Sequence, residues 1–120
     1  MKKLFVFCLL IIAVLIASCK SNSFTEIKAQ LPDMSSKSDG LYHGNYDLKG
    51  TPVRVALDVT IKDETITAIK IIKHICSPIG KKAEKIIDKV IEMQSLTVDA
   101  VSGATGSSIA ILKAVENALQ

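Results

Sequence analysis

VRVALDVTIKDETITAIKIIKHI, residues 53–75, decides the fold. Val53, Val55, Leu57, Val59 and Ile61 alternate with Arg54, Ala56, Asp58, Thr60 and Lys62. A period of two turns one face of a strand to the core and the other to water. Asp63-Glu64 then reads as a hairpin turn, and Thr65 to Ile75, rich in Ile and Thr, reads as a further strand. Working outward, Asp39-Gly40 is a turn pair. Leu41 to Leu48, with Tyr42 and Tyr46, reads as an earlier strand that ends at Lys49-Gly50. Three consecutive strands joined by short turns predict a three-stranded antiparallel meander.

Beyond residue 75 the period changes. Ser77-Pro78 has the form of a cap followed by proline at the first helical position. Ala83, Ile86, Ile87, Val90 and Ile91 recur at helical spacing. A loop is expected from about Ser95. Ser108, Leu112, Val115 and Leu119 then mark a second helix, with Ile109, Ile111 and Ala118 widening its apolar stripe. Strands followed by helices predict an α+β domain with two helices packed on one face of the sheet.

The N-terminus reads as an export signal rather than as part of the fold. Met1-Lys2-Lys3 is basic, and Leu4 to Ala17 is apolar without a break. That run is short of the ~20 residues a spanning helix needs and fits the apolar region of a secretory signal. It ends in Ile16-Ala17-Ser18-Cys19, which resembles a bacterial lipobox. The expectation is a signal over residues 1–18 and a lipidated Cys19; the alternative is ordinary cleavage near Ser18 with Cys19 incidental. A lipobox implies a diacylglyceryl group, and two acyl chains hold a protein on a membrane where one does so only marginally. The expected location is therefore the extracytoplasmic face of a membrane, held by a lipid anchor. Residues 20–38 are serine-containing, with little apolar periodicity, and read as a flexible linker of roughly 25 Å. Residues 39–120 form the domain.

Composition narrows the function classes. The formal net charge is +3, falling to +1 once Lys2 and Lys3 leave with the signal. The basic residues are also scattered, which argues against a nucleic-acid partner. Cys8 leaves with the signal, so Cys76 is the one thiol left beside Cys19. It reads either as a small buried apolar residue or as a free reactive thiol. His74 and Cys76 share a strand face, but two ligands are too few for a zinc site, and no metal is expected. Lys81, Lys82, Lys85 and Lys89 read as a solvated helix face or as a docking surface for an anionic membrane or an acidic partner.

The segment richest in chemistry is Asp99-Ala100-Val101-Ser102-Gly103-Ala104-Thr105, immediately before the last helix. Gly103 permits a tight turn and close approach of a ligand to the backbone. Thr105 falls at or near the helix N-terminus, where unpaired N–H groups and the helix dipole favour an anion. A plain capped helix start has the same residue types.

This segment resembles the flavinylation motif of the FMN-binding domain family, an acidic or amide residue followed three positions later by Ser/Thr-Gly-Ala-Thr/Ser. Asp99, Ser102, Gly103, Ala104 and Thr105 match every fixed position. Asp39-Gly40-Leu41-Tyr42-His43-Gly44 is similar to that domain's opening strand. Residues 59–63 with 66–69 resemble its central hairpin. The resemblance covers nearly all of residues 39–120. It implies FMN joined covalently to Thr105 Oγ through its phosphate, moved there from FAD by a separate flavin transferase that uses a divalent metal. Ser102, Gly103 and Ala104 would present the acceptor, and Asp99 would position the segment or be read by the transferase. Many relatives carry Glu-Thr-Pro-Gly-(Ile/Leu)-Gly after the third strand, near the flavin. Here Cys76-Ser77-Pro78-Ile79-Gly80 stands instead, with one Gly missing and Cys76 in place of the acid. Cys76, Ser77, Pro78 and Gly80 are therefore expected near the flavin, with altered contacts.

The domain has no Trp and no Phe and only Tyr42 and Tyr46, so little aromatic surface is available to stack a flavin ring. A covalent tether replaces affinity with effective concentration. The expectation is an electron carrier between redox partner proteins rather than a stand-alone enzyme, since no Gly-rich dinucleotide fingerprint is present. Two alternatives stay open: a flavin-bearing component of a multi-subunit reductase acting on a small substrate, and a non-redox binding lipoprotein.

Overall fold

The computed structural model describes residues 28–120. The expected signal, Cys19 and the first part of the expected linker lie outside the described residues. Strands β1 (Gly40–Asp47), β2 (Arg54–Lys62) and β3 (Thr65–Ile75) form one antiparallel sheet in the order β1-β2-β3. The alternation read in β2 is realised: Val55, Leu57, Val59 and Ile61 are buried. The β2–β3 turn holds Asp63 and Glu64 both at positive φ, 51° and 60°. That is the type I′ geometry that follows the twist of a two-residue hairpin. The Asp63 amide donates to Asp39 Oδ1 at 2.8 Å, tying this turn to the start of β1.

β3 alternates less cleanly than β2, and the register shows why. Lys73 pairs with Ala56 and Ile71 with Leu57, so Ile72 is an extra residue; Thr67 is another, between the Ala68–Thr60 and Ile66–Ile61 pairs. Each bulge shifts the phase of the alternation by one residue. Ile66, Ile69, Ile71 and His74 therefore lie opposite the buried residues of β2, while Ile72 is left 56% exposed.

Two helices follow, as expected. The first begins later than Pro78. The Ser77 Oγ accepts from the Gly80 amide at 3.2 Å, but the cap position is Ile79, which has no capping side chain. The chain then runs as a 3-10 segment over Gly80–Lys85 and becomes the α-helix α1 only at Ile86–Met93. The 3-10 repeat stacks every third residue, which puts Gly80, Ala83 and Ile86 in one buried row. Gln94 ends α1 in the left-handed conformation (φ 49°). Its side chain accepts from the Ile66 amide at 2.9 Å and donates to the Ile66 carbonyl at 2.8 Å. It thus occupies the open edge of β3, where unpaired backbone groups would otherwise face outward.

The second helix, α2 (Thr105–Leu119), is more central than an amphipathic stripe implies. Ser107, Ser108, Ala110, Ile111, Leu112, Ala114, Val115, Glu116, Ala118 and Leu119 are all buried. The buried Glu116 carboxylate is paired with Lys113. α2 runs antiparallel to β1: Gly106 lies by Leu48, and Asn117 Nδ2 donates to the Asn45 carbonyl at 2.8 Å. Next to the Asn45 contact the helix and strand backbones nearly touch. A Cβ built on Gly44 would stand 2.0 Å from the Ala114 carbonyl oxygen and 2.7 Å from the Ala118 Cβ. Ala110, Ala114 and Ala118, spaced at four, supply the matching small-residue row.

Residues 28–38, read from sequence as linker, are laid on the domain instead. Ala29 is buried, and Leu31 and Met34 pack against the core. Asp33 caps a 3-10 turn at Met34–Ser36, and its carboxyl is held below its ordinary pKa by hydrogen bonds from the Ser35 hydroxyl and amide. Lys37 Nζ reaches the Gln120 carbonyl at 3.4 Å. The segment therefore follows α2 from its first turn to its last. Sequence periodicity misses it because three apolar residues in irregular backbone leave no repeat. No helix among the described residues is long and apolar enough to cross a membrane.

Two substitutions test this account by chemical denaturation. Gly44→Ala is expected to cost about 3 kcal/mol or more, because its methyl meets backbone rather than a mobile side chain. Glu64→Gly is expected to add about 0.5–1 kcal/mol by relieving a left-handed non-glycine residue.

Candidate functional site

The segment before α2 folds as a tight turn. The Ala104 amide donates to the Val101 carbonyl at 2.9 Å, with Ser102 and Gly103 at the exposed tip. Gly103 has φ +79°, the left-handed value that the third residue of a type II turn requires. Beneath the turn lies Ser108, fully buried. Its Oγ accepts from the Val101 amide at 3.0 Å and donates to the Ala104 carbonyl at 2.8 Å. One hydroxyl thus satisfies both ends of the turn and fixes it to the first turn of the helix. Sequence reading placed Ser108 on the apolar stripe and missed this brace. A hydroxyl residue at an apolar helical position, seven beyond the start of the turn, was the available signal.

Thr105 is the first residue of α2 and is exposed. The N-cap is Ala104, which offers no side-chain acceptor. The N–H groups of the first helical turn accordingly receive no cap from it, and an open N-terminus of this kind favours an anion. Thr105 also borders a cleft of about 360 Å³, at the lower end of the roughly 300–1,000 Å³ usual for small-molecule sites. Leu96, Ile109, Leu112 and Ala29 give it apolar walls, and Asp99 and Lys28 carry its charges. Asp99 and Thr105, matched by the motif at a spacing of six, therefore meet at one cleft. Neither tyrosine lines it. A second hollow, of about 350 Å³, shares Thr97, Val98 and Asp99 and continues to Lys89 and Met93.

The loop after β3 reaches the turn. Its contacts run through Ile79, whose Cγ2 lies 3.8 Å from a Cβ built on Gly103, and through Gly80, which packs against Ser107. A Cβ on Gly80 would come within 2.6 Å of Ser107 Oγ and 2.8 Å of Cys76 Cβ. Gly80 is thus a packing residue between the loop and α2. Cys76, Ser77 and Pro78 do not line the Thr105 cleft. Cys76 is a half-buried free thiol turned toward Gly80. His74 is engaged by Glu84, with Nδ1 2.9 Å from Oε1, and its buried Nε2 has no hydrogen-bond partner. His43 pairs with Asp58 on the outer face of the sheet. Among the described residues no three His, Cys, Asp or Glu side chains are grouped closely enough to hold a metal.

The model of the FMN-binding domain matches residues 49–120, the greater part of the chain, including the turn at residues 101–104 and Thr105 but not Lys28 and Ala29 of the cleft wall. An uncharacterized protein of Treponema pallidum (strain Nichols) is 34% identical over 98 residues, covering 80% of this chain. The matched part is 27% of that relative's own length. The site residues present fit the phosphate end of the cofactor, with an accessible hydroxyl at an uncapped helix start beside a partly apolar cleft. The chain belongs to the FMN-binding domain family, and FMN is its cofactor.

Proposed function

We propose that this chain is a lipid-anchored flavoprotein of the extracytoplasmic membrane face, carrying FMN as a phosphate ester of Thr105 and passing electrons between redox partner proteins. The observation that carries the reading is the Thr105 hydroxyl itself: exposed, first in its helix, uncapped, and at one cleft with Asp99. Thr105 Oγ would hold the FMN phosphate: a flavin transferase would break the pyrophosphate bond of FAD as the Thr105 O–P bond forms, with AMP and the hydroxyl proton leaving. The open amides at the start of α2 would favour the charge of that phosphodiester. Ser102 and Gly103 hold the acceptor clear of the core so that a second protein can reach it, and Ser108 keeps the turn from collapsing. Asp99 serves as the acidic mark of the segment, beside the hydroxyl it identifies.

FMN supplies one- and two-electron redox chemistry when bound. This chain's part is to hold it and leave it accessible. Tyr42 and Tyr46 pack against the core and are not available for stacking at the cleft, so retention falls to the ester. A short tether holds its group at an effective concentration of order mM without any ring contact. That arrangement suits exchange with other proteins. Cys19 is the anchor in this reading, and two acyl chains there keep the domain at the membrane.

Co-expression with a flavin transferase tests the ester. The protein is expected to stay yellow after denaturation, with the FMN mass on the Thr105 peptide. Thr105→Ser is expected to retain the label and Thr105→Ala to lose it. Flavin bound equally by Thr105→Ala would overturn the covalent reading. Ser108→Ala is expected to cost about 1–3 kcal/mol, since it leaves the half-buried Val101 amide without its partner. It should also slow flavin loading more than an equally destabilising change remote from the turn, read as labelled fraction against time.

A further inference from the structure

The path of the chain into the domain carries an orientation. Lys28 and Ala29 border the same cleft as Thr105, while Lys37 sits at the far end of α2 beside Gln120. Along the described residues the chain thus runs from the cofactor end away from it. Nine peptide steps separate Lys28 from Cys19. They reach about 17 Å as a coil and at most about 30 Å fully extended. α2 is about 22 Å long, so a domain anchored at Cys19 has its Thr105 end nearer the lipid than its Asp63–Glu64 hairpin in most of the poses the tether allows.

A tether biases orientation without fixing it, and a surface feature at the same end supplies the rest. Ile79, which packs beside Gly103, is 56% exposed. Lys81, Lys82 and Lys85 follow it and are exposed. The acidic groups here are Glu84, engaged by Lys81 and His74, the exposed Asp88, and Asp99 at the cleft. Over this whole end the three lysines and three carboxylates balance, but directly after Ile79 the exposed Lys81 and Lys82 outnumber Glu84. An exposed apolar side chain next to two exposed lysines suits an anionic lipid headgroup layer, where Lys interacts with charge and the apolar group enters the boundary.

We propose that the domain rests with its Thr105 end against the anionic lipid surface, Ile79, Lys81 and Lys82 touching the headgroups, so that the cofactor cleft faces the membrane. The inference rests on the lipid anchor at Cys19 proposed above. It implies a redox partner embedded in, or lying on, the same membrane.

The test uses the full lipidated chain on vesicles of phosphatidylcholine and phosphatidylglycerol carrying a headgroup spin label. A red-emitting dye is placed on Ala100→Cys, at the cleft beside the turn, or on Lys62→Cys, at the opposite end, each with Cys76→Ser. Quenching is expected to be at least threefold stronger at position 100. Replacing phosphatidylglycerol by phosphatidylcholine, or combining Ile79→Ser with Lys81→Glu and Lys82→Glu, should at least halve that ratio. Equal quenching at the two positions, or stronger quenching at 62, would overturn the orientation. A ratio unmoved by lipid charge and by the triple substitution would overturn the headgroup contact. A difference seen only with native membranes would assign the patch to a membrane protein and overturn the lipid assignment. Intact mass reports the diacylglyceryl group on Cys19, and its absence would overturn the proposal together with the anchor. Flavin content is read separately from the same samples, so an unloaded Thr105 leaves the orientation result standing.

Discussion

The structure depends on how closely α2 lies on the sheet. At Gly44 the strand has no side chain, and the Ala110, Ala114 and Ala118 row gives the helix almost none. Backbone approaches backbone at a distance that a single added methyl would block. That contact fixes the helix in rotation as well as position, because only the small-residue row fits against Gly44. With rotation fixed, Ser107 meets Gly80, Ser108 points under the preceding turn, and Thr105 faces the cleft and solvent. The identity of the exposed hydroxyl is therefore decided some nine residues and more than two helical turns away from it.

Around this centre, polar side chains do work that regular secondary structure leaves undone. Gln94 pairs with the free edge of β3, the exposed Ser77 accepts from the Gly80 amide, and Ser108 satisfies both ends of the turn at Ser102-Gly103. Gln94 is half-buried and Ser108 buried, and the backbone groups they meet would be costly to leave unpaired. The helix start at Ala104 is the exception, with no side chain to cap it. In a domain otherwise careful of its backbone groups, that opening lies beside the one threonine that the family motif marks.

Much of this was legible in the residues, and the misses have physical causes. Strict alternation in β2 and three-four spacing after Ala83 gave the elements, since one-sided burial imposes those periods. β3 obscured its own pattern because Thr67 and Ile72 bulge out of the ladder and shift its phase. Residues 28–38 were hidden because irregular backbone has no period, so Ala29, Leu31 and Met34 could not be told from a linker. Cys76, Ser77, Pro78 and Gly80 were expected near the flavin from the family's loop after the third strand; the residues could not show that this loop meets the turn through Ile79 or that Gly80 packs against Ser107, because both contacts join separate segments.

The sequence by itself determined the meander, the two helices, the tight turn at Gly103 and the threonine that follows it, because these rest on local constraints: side-chain alternation, helical spacing, and glycine's access to positive φ. Only the tertiary structure decided that Asp99 and Thr105 share a cleft, that Ser108 braces the turn, and that residues 28–38 run along α2 from the site end. The first two depend on how α2 is seated, which its close packing on Gly44 fixes, and the last on residues 28–38 meeting a helix far away in the chain; no local pattern encodes either.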